Sequence, residues 1–228
     1  MIKLEQIRGM EKGKIMMVVG GGATIRSHQM PLQALIKDKW VVSIGINKLL
    51  PYIVPDYHLW TNTQRYRDMG DCLHPLSIMM FGSGLSRQII RKHYKKDDYI
   101  IVDYTSDLKR SLKEPVGYKN GKISGHFRTA GCLAVMICHL MEAGKIYICG
   151  MDGYTLYSKE ALDSKEQNHH CYGKGYTDTA DWATCKQKDE TVYNTLRELR
   201  DYGIQFKIIT PTVFEEFYDP TVLGEYDG

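Results

Sequence analysis

The most constraining feature of this sequence is the block from Ile123 to Asp152, which combines a buried helix with a buried strand. Thr129 is a good N-cap, and the residues after it are apolar on nearly every side of a helix that Gly144 ends. The next run, Lys145–Cys149, is apolar enough for a strand covered on both faces. Asp152 then follows at the carboxyl end of this strand, the edge at which open α/β sheets bind ligands.

Further strand-like runs alternate with helical or irregular stretches along the chain. They are Lys14–Val19, Trp40–Ile46, Tyr57–Thr61, Ser77–Phe81, Tyr99–Val102 and Gln205–Ile209. An amphipathic helix over Thr191–Tyr202, stopped by Gly203, precedes the last of them. The alternation predicts the α/β class, with residues 1–228 forming a single Rossmann-like domain in which helices flank a mainly parallel, twisted sheet.

Residues 154–184 differ from the rest of the chain, because they are polar and aromatic-rich and show little periodicity. The segment holds His169, His170, Tyr172, Tyr176 and Trp182. Long irregular segments of compact domains are usually functional, and aromatic residues argue against disorder. We therefore expect these residues to form a lid that closes over a ligand.

Composition bears on partners and location. The net charge of +3 is too small to indicate nucleic-acid binding, although basic clusters at Arg87–Lys96 and Lys109–Lys122 are able to face an anionic ligand. The six cysteines show no CxxC spacing, which favours a reducing compartment. No run reaches the roughly 18–20 apolar residues of a membrane span. We expect a soluble, cytoplasmic protein, and the sequence is compatible with a homo-oligomer.

Polar features follow the predicted strands at their carboxyl ends. The turn Gly20–Gly22 offers backbone N–H groups that suit a phosphate, although it is neither GxGxxG nor a P-loop. Asn47 and Asn62 end the next two strands, and an amide can bind a ribose, a base edge or a sugar hydroxyl. Each feature alone is also typical of a tight turn. Together with Asp152 they predict one nucleotide-binding cleft.

His170 is the candidate general base, because histidine titrates near neutrality and an acceptor would sit under the lid. An exposed loop histidine without a catalytic role is the alternative. His169, His170 and Cys171 are the only cluster of metal-ligand types, and no further pair has ligand spacing, so we expect no metal site.

These motifs resemble those of the bacterial sialyltransferases of glycosyltransferase family 42. The resemblance rests on GGGATI after the first strand, the strand ends SIGIN and LWTN, the block TAGCLAVMICHLMEAGKIYICGMDGY, and the closing helix, strand and TPT. Element order is similar over most of the chain, but only Thr129–Tyr154 matches closely. Similar blocks occur in related Rossmann-like domains, including the archaeal hydroxymethylpterin diphosphokinases.

The resemblance implies roles for individual residues. It places Gly21 and Gly22 by the phosphate, Asn47 and Asn62 near the nucleotide and sugar, Thr129, Ala130 and Gly131 at the nucleotide, and Tyr154 and Tyr157 as phenols that assist the departing phosphate.

The sequence also departs from the family pattern. Ala23 and Thr24 replace Pro-Ser, and Ala130 replaces the serine of TSG. The family's base is a histidine in Tyr-x-Gly-His, whereas here Lys174 follows Tyr-Gly. His170 is the nearest substitute.

The resemblance implies a metal-independent, inverting glycosyltransferase that needs no cofactor. Its partners would be a nucleotide-sugar donor, in the first place a CMP-sugar, and a hydroxyl acceptor such as a glycan. One alternative is a Mg²⁺-dependent pyrophosphokinase that transfers from ATP to a small hydroxymethyl heterocycle, with Asp152 and Asp71 as metal ligands. The other alternative is a catalytically silent nucleotide-binding module.

Overall fold

The computed structural model describes residues 1–105, 115–157, 159–160, 168–173 and 181–226. Its strands are β1 (Ile2–Lys3), β2 (Ile15–Val19), β3 (Val42–Ile46), β4 (Tyr57–Trp60), β5 (Ile78–Gly82), β6 (Ile100–Val102), β7 (Gly117–Lys119), β8 (Lys122–Ser124), β9 (Lys145–Cys149) and β10 (Lys207–Ile208). Its α-helices are α1 (Thr24–Ser27), α2 (Gln29–Lys39), α3 (Thr63–Met69), α4 (Arg87–Ile90), α5 (Ala130–Leu140), α6 (Trp182–Asp201) and α7 (Thr221–Gly224). Short 3₁₀ turns span Leu4–Ile7, Gly70–Cys72 and Glu215–Phe217.

Eight of these strands form one sheet in the order β1-β6-β5-β4-β3-β2-β9-β10, and each neighbouring pair is parallel. β7 and β8 form a separate antiparallel hairpin. Helices flank the sheet, which confirms the predicted α/β, Rossmann-like class. The chain builds the sheet outward from β2 through β3 to β6 and then returns to the other side of β2 with β9 and β10. This reversal creates a topological switch point at β2.

The alternation of side chains along β2 explains why its sequence is continuously apolar. Val18 faces a core that includes Leu133 of α5 and Leu196 of α6, whereas Met17 faces a second core that includes Leu32 of α2. Because both faces are covered, every position from Met16 to Val19 is buried. All the strands predicted from apolar runs are present, with their ends shifted by a few residues.

The buried helix predicted after Thr129 is confirmed at its start, where the Thr129 hydroxyl accepts a hydrogen bond from Cys132 N. Its end is different. The helix stops at Leu140, and Glu142 then adopts a left-handed conformation with φ of 59°. Gly144 serves another purpose, because a Cβ there would meet the backbone of Gly13. The glycine permits a close approach of two chain segments and does not terminate the helix.

The predicted boundary of the last long helix is wrong. α6 begins at Trp182, and Asp181 caps it by accepting a hydrogen bond from Thr184 N at 2.9 Å. Trp182–Thr184, assigned to the lid, are therefore helical. The first half of α6 is mostly polar, so its periodicity is weak in the sequence.

Other lid residues lie outside the described part of the chain, among them Tyr176 and Lys174. The first part of the basic cluster from Lys109 to Lys122 does so as well. Among the described helices, none combines the length and the apolar composition needed to cross a membrane.

Candidate functional site

A cleft of about 220 Å³ opens at the carboxyl edge of the sheet, at the switch point beside β2. The turns after β2, β3, β4 and β9 and the start of α5 form its walls. Of the residues selected from the sequence, it is lined by Gly21, Gly22, Asn47, Asn62, Thr129, Ala130, Gly131, Asp152, Tyr154 and His170. The structure thus brings together the strand-end residues, as their positions predict. Tyr157 does not line this cleft.

Asp152 is held by the protein itself. Its Oδ2 accepts a hydrogen bond from Thr24 N at 2.9 Å, and its Oδ1 accepts one from Thr24 Oγ1 at 2.5 Å. The carboxylate lies directly against the glycine turn, because a Cβ on Gly22 would come within 3.0 Å of it. Only 3% of Asp152 is exposed. The carboxylate therefore lies against the glycine turn and accepts the hydrogen bonds that Thr24 donates at the start of α1.

Burial raises the pKa of Asp152 from 3.8 to about 6, against the opposing effect of its hydrogen bonds from Thr24. In the unfolded chain the group ionises at lower pH, so the native state binds the proton more tightly. The native carboxyl thus contributes most stability below about pH 4, and this contribution is lost as the pH rises through about 6.

We therefore expect the stability of Asp152→Asn, relative to that of the wild type, to be greater at neutral pH than at acidic pH. The free energy of unfolding of the variant, relative to wild type, should fall by about 2 kcal/mol between pH 7.5 and pH 4.5. Urea denaturation at the two pH values measures this change. Asp71→Asn, at an exposed carboxyl outside the cleft, is the matched control. If the difference in free energy of unfolding between Asp152→Asn and wild type does not change with pH, the raised pKa of Asp152 is wrong.

Asn47 has an unusual conformation for a strand end, with φ of 56° and 9% of its surface exposed. Its backbone oxygen accepts a hydrogen bond from His58 Nε2 at 2.5 Å. Burial lowers the pKa of His58 to about 4, so this imidazole is neutral at pH 7. The side-chain Oδ1 of Asn47 is buried without a hydrogen-bond partner among the described residues. It can accept a hydrogen bond from a ligand in the cleft.

Asn62 is partly committed to the fold. Its Oδ1 accepts a hydrogen bond from Arg65 N at 2.9 Å, which caps α3. The amide nitrogen is the group that can still donate to a ligand. Thr129 likewise uses its hydroxyl to cap α5, so a ligand at this helix would meet backbone N–H groups of Ala130 and Gly131.

His170 lies across the glycine turn. Its Nδ1 is 3.3 Å from the carbonyl oxygen of Gly21, which also accepts a hydrogen bond from Cys171 N at 2.9 Å. Its ring stacks on Tyr172, with centroids 4.8 Å apart. Because a carbonyl oxygen only accepts, a hydrogen bond between these two atoms requires that Nδ1 carry the hydrogen. His169 is instead buried and packs edge-on against Tyr154.

The two candidate phenols occupy different surroundings. Burial raises the pKa of Tyr154, while Arg65 and Arg128 oppose the increase, so both guanidinium groups lie within electrostatic reach of this hydroxyl. Tyr157 faces inward, with its hydroxyl 3.5 Å from Asp152 Oδ2. Burial and this carboxylate raise the pKa of Tyr157 to about 12.

Sequence reasoning did not select Asp189, Arg65 and Arg128, although all three line the cleft. Asp189 accepts hydrogen bonds from Tyr154 N at 2.7 Å and from Thr155 N at 2.9 Å, and so anchors the chain after β9. It lies within a long helix, where no local pattern marks it. Arg65 lies in the first turn of α3, and Arg128 directly precedes the cap of α5. A position at a helix start beside the ligand edge of the sheet is the sequence signal that could have identified them.

Among the described residues, no group of three or more His, Cys, Asp or Glu side chains is arranged to hold a metal ion. Both cleft carboxylates, Asp152 and Asp189, already accept several hydrogen bonds from the protein. The remaining side-chain charges that we identify in the cleft wall, those of Arg65 and Arg128, are positive.

No protein-family model and no curated protein sequence matches this chain. Among solved structures, it is similar to a mammalian sialyltransferase crystallised in complex with Gal-beta-1-3GalNAc-ortho-nitrophenol. The TM-score is 0.46 and the sequence identity 11%, over 87% of this chain and 70% of the other. The parallel sheet and its strand order define the protein as a Rossmann-like α/β protein with a cleft at the switch point.

Proposed function

We propose that this protein is a glycosyltransferase that takes a sugar from a nucleotide-activated donor, a CMP-sugar, and transfers it to a hydroxyl acceptor. The observation that carries the proposal is the composition of the cleft at the switch point. It combines two arginines and a histidine beside the glycine turn with a buried amide oxygen, that of Asn47, which has no hydrogen-bond partner in the described part of the chain. Such groups suit a ligand that has hydroxyl or amino donors and a negative charge.

The state of the carboxylates supports a mechanism without a metal ion. Mg²⁺ in phosphate-transfer sites is usually held by one or two carboxylates together with the substrate phosphates. Asp152 is bonded to Thr24, and Asp189 is bonded to the chain at Tyr154 and Thr155. Guanidinium groups can stabilise phosphate charge in place of the metal.

The pyrophosphokinase alternative fits the cleft less well. It needs Asp152 and Asp71 to act together on one metal ion. Asp71 is exposed on the 3₁₀ turn after α3 and does not line the cleft. Glycosyl transfer needs no such pair.

In the proposed reaction, Nε2 of His170 takes the proton of the acceptor hydroxyl. The acceptor oxygen forms a bond to the anomeric carbon as the bond from that carbon to the phosphate oxygen breaks. The nucleotide leaves with the bonding electron pair, and the Tyr154 hydroxyl donates a hydrogen bond to it. Attack from the face opposite the phosphate inverts the configuration at the anomeric carbon.

Calorimetric titration with CMP, UDP and ATP, each with and without Mg²⁺, tests the donor class. We expect CMP to bind in both conditions. Release of CMP from a CMP-sugar, to water or to a glycan acceptor, then tests for turnover. Binding of ATP alone, and only with Mg²⁺, would favour the pyrophosphokinase, whereas CMP binding without turnover would favour the silent module.

We expect CMP affinity to survive metal chelation. The dissociation constant in excess EDTA should stay within about twofold of its value in Mg²⁺, because protein donors and guanidinium groups hold the phosphate. Titration of one protein preparation in the two buffers measures this directly. Loss of all CMP binding in EDTA would contradict the metal-independent mechanism.

A further inference from the structure

We propose that the phosphate of the ligand binds to the guanidinium groups of Arg65 and Arg128 at the start of α5, and not at the glycine turn. This inference rests on the proposed function in taking the ligand to be a nucleotide. It assigns the anion-binding role to residues that the sequence patterns did not select. It also assigns Asp152 as an internal substitute for an anion at the turn.

The glycine turn is a poor place for a phosphate in this protein. Asp152 already accepts hydrogen bonds from both the backbone and the hydroxyl of Thr24 at the start of α1. The carboxylate also touches Gly22, so close that a Cβ there would collide with it. A phosphate bound at this turn would meet a negative charge, and the strongest donors would already be used. With a pKa of about 6, Asp152 is mostly ionised at neutral pH.

The arginine pair has the opposite character. Arg65 and Arg128 line the cleft, and neither has an ion-pair partner among the described residues. Both line the same cleft as Tyr154, and the positive charge of each lowers the pKa of this phenol against the effect of burial. Two like charges in the wall of one cleft repel each other, and an anion bound in the cleft lowers this cost. A guanidinium also matches the geometry of phosphate oxygens.

The start of α5 adds donors at the same place. Arg128 immediately precedes the Thr129 cap, and the first N–H groups of this 11-residue helix have no partner within the helix. Gly131, at the second helical position, has no side chain to cover these N–H groups. A larger residue would not fit there, since a Cβ would meet the side chain of Met151.

Asn47 supplies an independent indication that a ligand binds here. It lines the same cleft, is 9% exposed, and its buried Oδ1 lacks a partner among the described residues. A lone acceptor cannot bind phosphate oxygens, so it needs a hydroxyl or amino group of the ligand. The site therefore fits a phosphate ester that carries a hydrogen-bond donor next to its anion. A nucleotide has this chemistry, whereas inorganic phosphate has only the anion.

Calorimetric titration of Arg65→Gln and Arg128→Gln with CMP, cytidine and pyrophosphate tests the assignment. Arg67→Gln is the matched control, since Arg67 is exposed on the same helix as Arg65 and does not line the cleft. Each cleft variant should weaken CMP about 10- to 100-fold, the effect of losing a charged hydrogen bond. Cytidine, which has no phosphate, should bind all the proteins equally. Lysine at either position should restore part of the loss, and thermal melting establishes that each variant is folded.

The outcomes separate this inference from the proposed function. CMP binding that is unchanged in both glutamine variants would overturn the arginine assignment and leave the glycosyltransferase proposal standing. Arginine-dependent binding of pyrophosphate without binding of any nucleotide would support the assignment and overturn the proposed function. If the wild type binds neither CMP nor pyrophosphate, both are wrong.

Discussion

Replacing His170 with alanine is expected to lower turnover about 10²–10⁴-fold, the usual contribution of a general base. His170 lines the cleft, with its Nδ1 3.3 Å from the carbonyl oxygen of Gly21, and the proposed reaction assigns the role of base to Nε2. Donor affinity should change little, since the base acts on the acceptor hydroxyl. Steady-state release of CMP from a CMP-sugar, at several acceptor concentrations, measures the effect on turnover.

His169→Ala is the natural control for this prediction. His169 is buried against Tyr154, so its loss should lower thermal stability more than turnover. The pH profile adds a second measurement, because loss of a base should remove the limb at which activity rises with pH. Equal and small effects at the two histidines would exclude His170 as the base. Lys174 or Tyr176 would then be the next residue to replace.

Gly20→Ala is expected to have the largest effect on stability, a loss of about 3 kcal/mol or more from overpacking of a rigid site. A Cβ at Gly20 would come within 3.0 Å of the carbonyl group of Gly150. These are the first residues after β2 and β9, so neither backbone can move without disturbing the pairing of the two strands. Urea denaturation followed by tryptophan fluorescence measures the loss.

Gly21→Ala provides the comparison at the neighbouring position. Within the described residues, a Cβ there would meet the Tyr172 ring at 3.3 Å and the His170 ring at 3.9 Å and no other atom within 4 Å. Both belong to the segment that lies over the turn and can shift by a few tenths of an ångström. This variant should therefore fold normally, with its main effect on the position of His170 and hence on turnover. If both alanine variants lose the same stability, the close approach of the two strands is not the cause.

The predicted strands were recoverable because the sheet is covered on both faces. Met16 to Val19 are all buried, so every position in β2 has to be apolar and the run is visible without periodicity. α6 shows the opposite case. Its first half carries polar residues on most sides, and the inward-facing Cys185 and Asp189 do not produce an apolar stripe. The helix was therefore predicted to begin well after its actual start.

Local patterns were enough to predict which residues lie at the ligand edge of the sheet. In a parallel sheet all carboxyl ends meet at one edge, so Asn47, Asn62 and Asp152 had to come together once their strands were recognised. The same reasoning could not say whether each polar group would face a ligand or another part of the protein. Asn62 turned out to cap α3 with its amide oxygen, while that of Asn47 is unpartnered among the described residues.

The sequence by itself determined the class of fold and the edge at which the cleft lies, because apolar runs and strand ends are encoded by neighbouring residues. Only the tertiary structure decided the partners of the charged groups. Thr24 and Asp152 are separated by 128 residues, yet their hydrogen bonds occupy the glycine turn with a carboxylate. Arg65, Arg128 and Tyr154 likewise come to line one cleft only after α3, α5 and the turn that follows β9 have come together at the edge of the sheet. Contacts of this kind depend on how separate elements approach one another, which no local pattern specifies.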